Sequence, residues 1–307
     1  MVQEMRVRIG WRDLPEPVQT QVEQIIGGGR VVEAISQPGG FSPGTADRVR
    51  TESGQRAFVK AVSPAVNERS AEMARQEMRI TAALPVSAPV PRMLGGFDTG
   101  DWVVLVLDDI DGGHPRTPWV ETEIDAAVTA LRRLAAALTP APLDSVPRAA
   151  ELLADDFGGW DQIAAAPPDD LDPWAAEHLP QLQRASARGL AALRSGGTLT
   201  HCDIRADNLL VRPDGRVFVV DWPWACIGPD WLDRLLLGLD IIVSGSDPST
   251  ALDGIDPQVV TDVTAGLLGM FESIWRLPPP PGIPTVRAFQ QHWAEALSGW
   301  LRHRPLI

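Results

Sequence analysis

One stretch constrains this chain more than any other: residues 200–233, THCDIRADNLLVRPDGRVFVVDWPWACIGPDWLD. His201, Asp203 and Asn208 stand in the order His-x-Asp-x-x-x-x-Asn, and the apolar run Leu209 to Val211 leaves them as a short strand. The segment RPDGR then turns the chain. Proline presets φ, aspartate bonds the backbone ahead of it and glycine supplies φ > 0. Val217 to Val220 is therefore predicted to return antiparallel and to deliver Asp221 beside Asn208.

An amide and a carboxylate converging on one point suit a hard cation. Mg²⁺ takes oxygen ligands, keeps several waters and is usually held by one or two carboxylates together with substrate phosphates. Asn208 and Asp221 fit that demand, and Asp203 is placed to orient or deprotonate an attacking hydroxyl. The chemistry predicted is phosphoryl transfer.

Of the 27 basic residues only Lys60 is a lysine. A chain that otherwise uses arginine has kept one compact ammonium, which suggests a site where a planar fork would not serve. Lys60 lies in RAFVKAV, a predicted strand, where alternation puts Phe58, Lys60 and Val62 on one face. Such a lysine either snorkels from an edge or points toward a phosphate. Residues 66–84 read as a helix whose apolar stripe carries Met73, Ile80 and Leu84, with Glu77 on that stripe and Glu72 off it. Glu77 is thus the acid expected to meet Lys60.

The run HCDIRADN, then VVDW, then GPDWLD resembles the aminoglycoside phosphotransferase and kinase-like family, in its actinobacterial antibiotic-phosphotransferase branch. The resemblance covers about residues 30–240. It implies an α+β, two-lobed protein-kinase-like fold, with an antiparallel-sheet N-lobe (1–107, nucleotide-binding) and a mainly helical C-lobe (108–307). It implies ATP as donor, GTP not being excluded, with Mg²⁺ on Asn208 and Asp221 and with Asp203 as the catalytic residue. Lys60, fixed by Glu77, would take the α- and β-phosphates, Ser42 in the GGFSPG turn would contact phosphate, and Phe58 would lie against the adenine. The Asp108 carbonyl and the Ile110 N–H would read the base edge. Asp233 matches a family aspartate that anchors the catalytic loop. Arg205, Asp207 and Trp224 are the candidate acceptor contacts. Cys202 departs from the family pattern, which has glycine there, and a positive φ at that position would strain it.

The remaining sequence sets bounds. Residues 14–26 read as a helix, three strands follow up to Val62, and 102–107 is a nearly continuous apolar strand after a proline-punctuated link. Helical patterns occupy about 121–138, 148–165, 173–195, 231–244, 257–276 and 285–303, and Trp119, Trp160 and Trp174 are expected in the core. Residues 1–107 hold as many acids as bases, so the net charge of −13 falls in 108–307. Nucleic acid is not an expected partner, and an acidic C-lobe suits a cationic acceptor. No apolar run is long enough to span a membrane, so a cytoplasmic protein is expected; the expected state is a monomer or homodimer. Asp221 is followed by Trp-Pro rather than Phe-Gly, and only a short stretch separates it from Asp233, which disfavours a protein kinase. The expected acceptor is a small hydroxylated molecule, an aminoglycoside-like antibiotic first, with macrolides, peptide and nucleoside antibiotics as other choices. The alternative from another class is a non-catalytic nucleotide-binding regulator that keeps the fold.

Overall fold

The computed structural model describes residues 9–37, 43–280 and 284–307. Helix α1 (Glu16–Ile26) opens behind Pro15, buries the i, i+4, i+8 stripe Val18, Val22 and Ile26, and stops at Gly27. Strands β1 (Val31–Ser36), β2 (Thr45–Thr51) and β3 (Arg56–Val62) follow, then helix α2 (Glu68–Ala83), then β4 (Met93–Asp98) and β5 (Val103–Asp108). They form one sheet in the order β1-β2-β3-β5-β4, with every neighbouring pair antiparallel.

The period-2 alternation of β3 decides the site. Ala57, Val59 and Ala61 pack with Val49, Val104, Val106 and the stripe of α1, while Val62 packs with Val103, Leu105, Ala71 and Ala74 on the α2 side. Lys60, opposite Leu105 on β5, is therefore carried on the α2 side. Helix α2 is fixed in turn by Asn67, whose side-chain oxygen accepts the Ser70 N–H at 2.8 Å.

Strand β4 lies where the sequence reads only a link. Gly95 and Gly96 at its centre remove the β-branched signal that marks a strand. Both are required by packing: a Cβ at Gly95 would come within 2.8 Å of Ile25, and one at Gly96 within 2.8 Å of the Val104 carbonyl oxygen and 2.9 Å of Met78 Sδ.

Helices α3 (Glu121–Ala137), α4 (Ala149–Leu152), α5 (Gly159–Ala165), α6 (Pro173–Glu177) and α7 (Leu179–Ala192) lead to β6 (Thr198–Thr200). Two predicted helices are thus each divided. The 148–165 pattern is interrupted by a 3₁₀ turn at Asp156–Gly158 that runs into Gly159. This turn is the chain's Asp-Phe-Gly tripeptide, and its Phe157 is a core residue. The 173–195 pattern breaks at His178, where Pro180 opens the second helix. Hairpin strands β7 (Leu209–Val211) and β8 (Val217–Val219) come next, then β9 (Cys226–Gly228), which pairs with β6. Helices α8 (Leu232–Val243), α9 (Ser249–Leu252), α10 (Pro257–Ile274) and α11 (Val286–Leu301) complete the chain. Trp119 and Trp160 are buried as expected, the Trp160 indole donating to the Ala265 carbonyl at 2.7 Å, and Trp174 is half-buried.

The chain divides into two compact units, Met1–His114 with Asp207–Trp224, and Pro115–Ala206 with Ala225–Ile307. The hairpin, which the sequence reading assigns to the second half, groups with the sheet. Its backbone explains why. Val211 and Gly113 exchange hydrogen bonds of 2.7 and 3.1 Å, and Val219 N–H donates to the Pro89 carbonyl at 2.9 Å. Among the described residues no helix is long and apolar enough to cross a membrane.

Gly96→Val should lower unfolding stability by about 2–3 kcal/mol, because the added methyls meet backbone on one side and a packed helix on the other. Urea denaturation of the full chain reads this, and an unchanged midpoint would remove the close-packing argument.

Candidate active site

In the first unit the site is built on a ladder. Leu209, Leu210 and Val211 pair with Val219, Phe218 and Val217, and Gly215 at φ +79° closes the turn. Val220 N–H then donates to the Asn208 carbonyl at 3.0 Å, so the ladder runs one rung beyond the strands. The next residue is Asp221. Asn208, at the end of a 3₁₀ turn (Ala206–Asn208), is buried.

Asp221 meets the lysine of β3. Lys60 Nζ lies 2.7 Å from Asp221 Oδ1 and 2.7 Å from Glu77 Oε1. The Glu77 side chain is 5% exposed, that of Lys60 23% and that of Asp221 47%. Glu77 also accepts the backbone N–H of Trp222. Burial alone would lower the Lys60 pKa, but the charges of Asp221 and Glu77 outweigh it and hold the ammonium above its usual value. Burial pushes the Glu77 carboxyl up against the pull of Lys60, and the Asp221 charge adds to the rise. Two carboxylates thus share one ammonium, which leaves a local excess of negative charge. Glu72, by contrast, faces outward and pairs with Arg69.

The other expected nucleotide-side residues sit on this scaffold. Phe58 is half-buried on β3, two positions before Lys60 and opposite Leu107. Asp108 ends β5, donating its N–H to the Arg92 carbonyl at 2.9 Å and pairing with the Arg92 guanidinium at 2.7 Å. The Ile110 carbonyl accepts from Gly112. Between them sequence reasoning missed Asp109, whose side chain is buried and held by Arg48 at 2.6 Å and by Arg56 at 2.7 Å. Its partners come from β2 and β3, more than fifty residues back. Trp224 is partly exposed with the Arg69 guanidinium 5.8 Å from its ring centroid, and Asp207 is exposed. Ser42 lies outside the described residues.

In the second unit the loop before the hairpin is held by α8. Asp233 accepts the N–H groups of His201 and Cys202 at 2.9 and 3.0 Å, and burial pushes its carboxyl up while His201 opposes the rise. Asp240, seven residues and two turns along the same helix, accepts the Ala206 N–H at 3.1 Å and the Trp119 indole N–H at 2.9 Å. It was missed in the sequence, although an acid at i+7 within LDRLLLGLDIIV is a legible signal. Asp203 N–H donates to His201 Nδ1 at 3.2 Å, and Arg205 lies 3.3 Å from the Asp203 carboxylate. Cys202 has φ +64° and Asp221 φ +70°, the two non-glycine residues with positive φ among those described. Each costs about 1–2 kcal/mol, less for aspartate, which tolerates this region better. Buried acceptors at Asp233 compensate the first.

The donor set of the hairpin is oxygen only, one amide and one partly exposed carboxylate. Such oxygen donors fit a hard cation, which takes its remaining ligands from phosphates and water. Among the described residues no group of three or more His, Cys, Asp or Glu stands ready to hold a metal.

Residues 38–254 match the phosphotransferase enzyme family, more than two thirds of the chain, and the chain belongs to that family. No curated protein matches it. Among solved structures it is similar to amicoumacin kinase hAmiN in complex with AMP-PNP, Ca²⁺ and Ami (12% identity, TM-score 0.60, 100% of this chain and 97% of that one). It is also similar to the choline kinase LicA from Streptococcus pneumoniae (13%, 0.58, 92% and 98%). A third is spectinomycin phosphotransferase APH(9)-Ia in complex with ADP and spectinomycin (12%, 0.55, 96% and 96%). These likenesses establish the fold: α+β, with an antiparallel N-terminal sheet and a helical C-terminal part, as in kinase-like phosphotransferases.

Lys60→Met leaves Glu77 and Asp221 without their cation, a loss of about 2 kcal/mol after discounting for partial exposure. Without Lys60 the Glu77 pKa rises further, so the folded chain binds more protons than the unfolded one and the deficit shrinks as pH falls. Melting temperatures of both proteins between about pH 8 and pH 5.5 should therefore converge; a constant gap would remove the charge argument.

Proposed function

We propose that the chain is an ATP-dependent O-phosphotransferase that moves the γ-phosphoryl group to a hydroxyl of a small molecule. The observation that carries this reading is the Lys60 ammonium held 2.7 Å from both Glu77 and Asp221, with Asn208 immediately before the hairpin and Asp221 two residues after it. A lysine pinned by a buried glutamate is set to take the α- and β-phosphates of the nucleotide. Asn208 and Asp221 would hold Mg²⁺, which when bound neutralises charge on the β- and γ-phosphates. Asp203 receives the proton of the acceptor hydroxyl as its oxygen bonds to the γ-phosphorus and the bond to the ADP oxygen breaks. Phe58 lies against the adenine, the Asp108 carbonyl and Ile110 N–H read its edge, and Ser42 contacts phosphate. Catalysis is then mainly positioning and charge neutralisation.

The acceptor we propose is an antibiotic bearing hydroxyl and amino groups, so that phosphorylation inactivates it. Two observations support this. The net charge of −13 lies wholly in residues 108–307, which favours a cationic acceptor. The proteins of similar fold include amicoumacin and spectinomycin phosphotransferases, and also a choline kinase. Arg205, Asp207 and Trp224 are the proposed acceptor contacts.

The test is MgATP consumption across aminoglycoside, macrolide, peptide and nucleoside antibiotics and choline, with products weighed by mass spectrometry. One class should gain a single phosphoryl group, and Asp203→Asn should keep ATP affinity while losing turnover by about a hundredfold or more. Turnover by Asp203→Asn near that of the parent chain would remove Asp203 from the mechanism. A chain whose melting temperature MgATP leaves unmoved would overturn the nucleotide site.

A further inference from the structure

The second unit contains an aromatic column that ends on the arginine beside Asp203. Phe271 on α10 packs against Trp293 on α11 with centroids 5.3 Å apart, and Trp293 packs against Phe289, one turn earlier on α11, at 5.6 Å. The Arg205 guanidinium carbon lies 5.4 Å from the Phe289 centroid, and Arg205 Nη1 lies 3.3 Å from Asp203 Oδ1. Trp293 is buried, while the Arg205 and Asp203 side chains are 19% and 29% exposed. Phe289 falls outside the residues 38–254 that match the family.

We propose that Phe289 is a positioning residue for the reaction: it fixes the Arg205 guanidinium, which in turn fixes the carboxylate of Asp203. Backbone bonds to Asp233, Asp240 and His201 set the course of the loop, but they leave the two side-chain torsions of Asp203 to other contacts. Forming this half-buried ion pair costs the long arginine side chain its rotamers, which cuts into what the pair contributes by itself. A guanidinium held over a ring that packs on a buried tryptophan has already lost part of that freedom, which lowers the cost of pairing with the carboxylate. The aromatic column thus carries rigidity from the helical core to the atom that accepts the proton. This inference rests on the assignment of Asp203 as that acceptor.

The test uses the full chain and MgATP, with water as the acceptor, and reads initial rates against ATP concentration to separate kcat from KM. Phe289→Leu keeps an apolar side chain and removes the ring face. It should lower kcat about five- to tenfold with KM for ATP nearly unchanged, while Phe289→Tyr should restore the parent rate. Arg205→Gln should lower kcat to a similar degree, and adding Phe289→Leu to it should lower kcat no further, since the two side chains act as one unit. A parent-like kcat in Phe289→Leu overturns the proposal, as does a double variant whose loss is the product of the single losses. Should Phe289→Leu fail to fold, Arg205→Gln decides alone, and a parent-like kcat there also overturns it. Asp203→Asn runs alongside: if it hydrolyses ATP like the parent, the assignment of Asp203 and this proposal fall together. If it is silent while Phe289→Leu runs at full rate, only this proposal falls.

Discussion

One ammonium between two carboxylates is the interaction on which the first unit depends. Lys60 ties the central strand β3 to helix α2 through Glu77 and to the residue that follows the hairpin through Asp221, so two consecutive elements and a segment 161 residues further on are held through a single nitrogen. Burying Glu77 without a cation would be costly, and burial together with the Asp221 charge pushes its carboxyl up against the pull of Lys60. The arrangement is thus held under electrostatic tension. A site built this way favours added positive charge.

The second unit answers a different problem, that of holding an irregular loop still. The stretch from His201 to Ala206 has no ladder of its own, and its amides need acceptors. Helix α8 supplies them from two acids spaced two turns apart, so one rigid element fixes both ends of the loop. The positive φ of Cys202 is sustained by that anchoring: its own N–H is one of the bonds to Asp233.

Much of this was legible in the sequence because it follows local periodicity. Alternation in RAFVKAV put Phe58, Lys60 and Val62 on one face, the 3.6-residue stripe of α2 put Glu77 rather than Glu72 inward, and RPDGR defined the hairpin. What was missed depends on partners that local patterns do not encode. Strand β4 carries glycines where a strand normally advertises itself, because Ile25, Met78 and the β5 backbone come too close for side chains. Asp109 looks like one acid in a surface run until Arg48 and Arg56 converge on it across the sheet. The grouping of the hairpin with the sheet was hidden for the same reason, since it rests on backbone bonds to Pro89 and Gly113. The divided helices are different, because their breaks carry local signals, Gly158-Gly159 in one and Pro180 in the other.

The lone lysine gives the protein an unusual chemical surface. To an acylating reagent the chain offers one side-chain amine among 307 residues, and that amine is charged, largely covered and paired twice. Since only the uncharged amine reacts, its raised pKa makes it a slow nucleophile for as long as both carboxylates stay in place. Labelling at Lys60 thus becomes a clock for the ion pairs themselves, running fast only in molecules where the site has come apart.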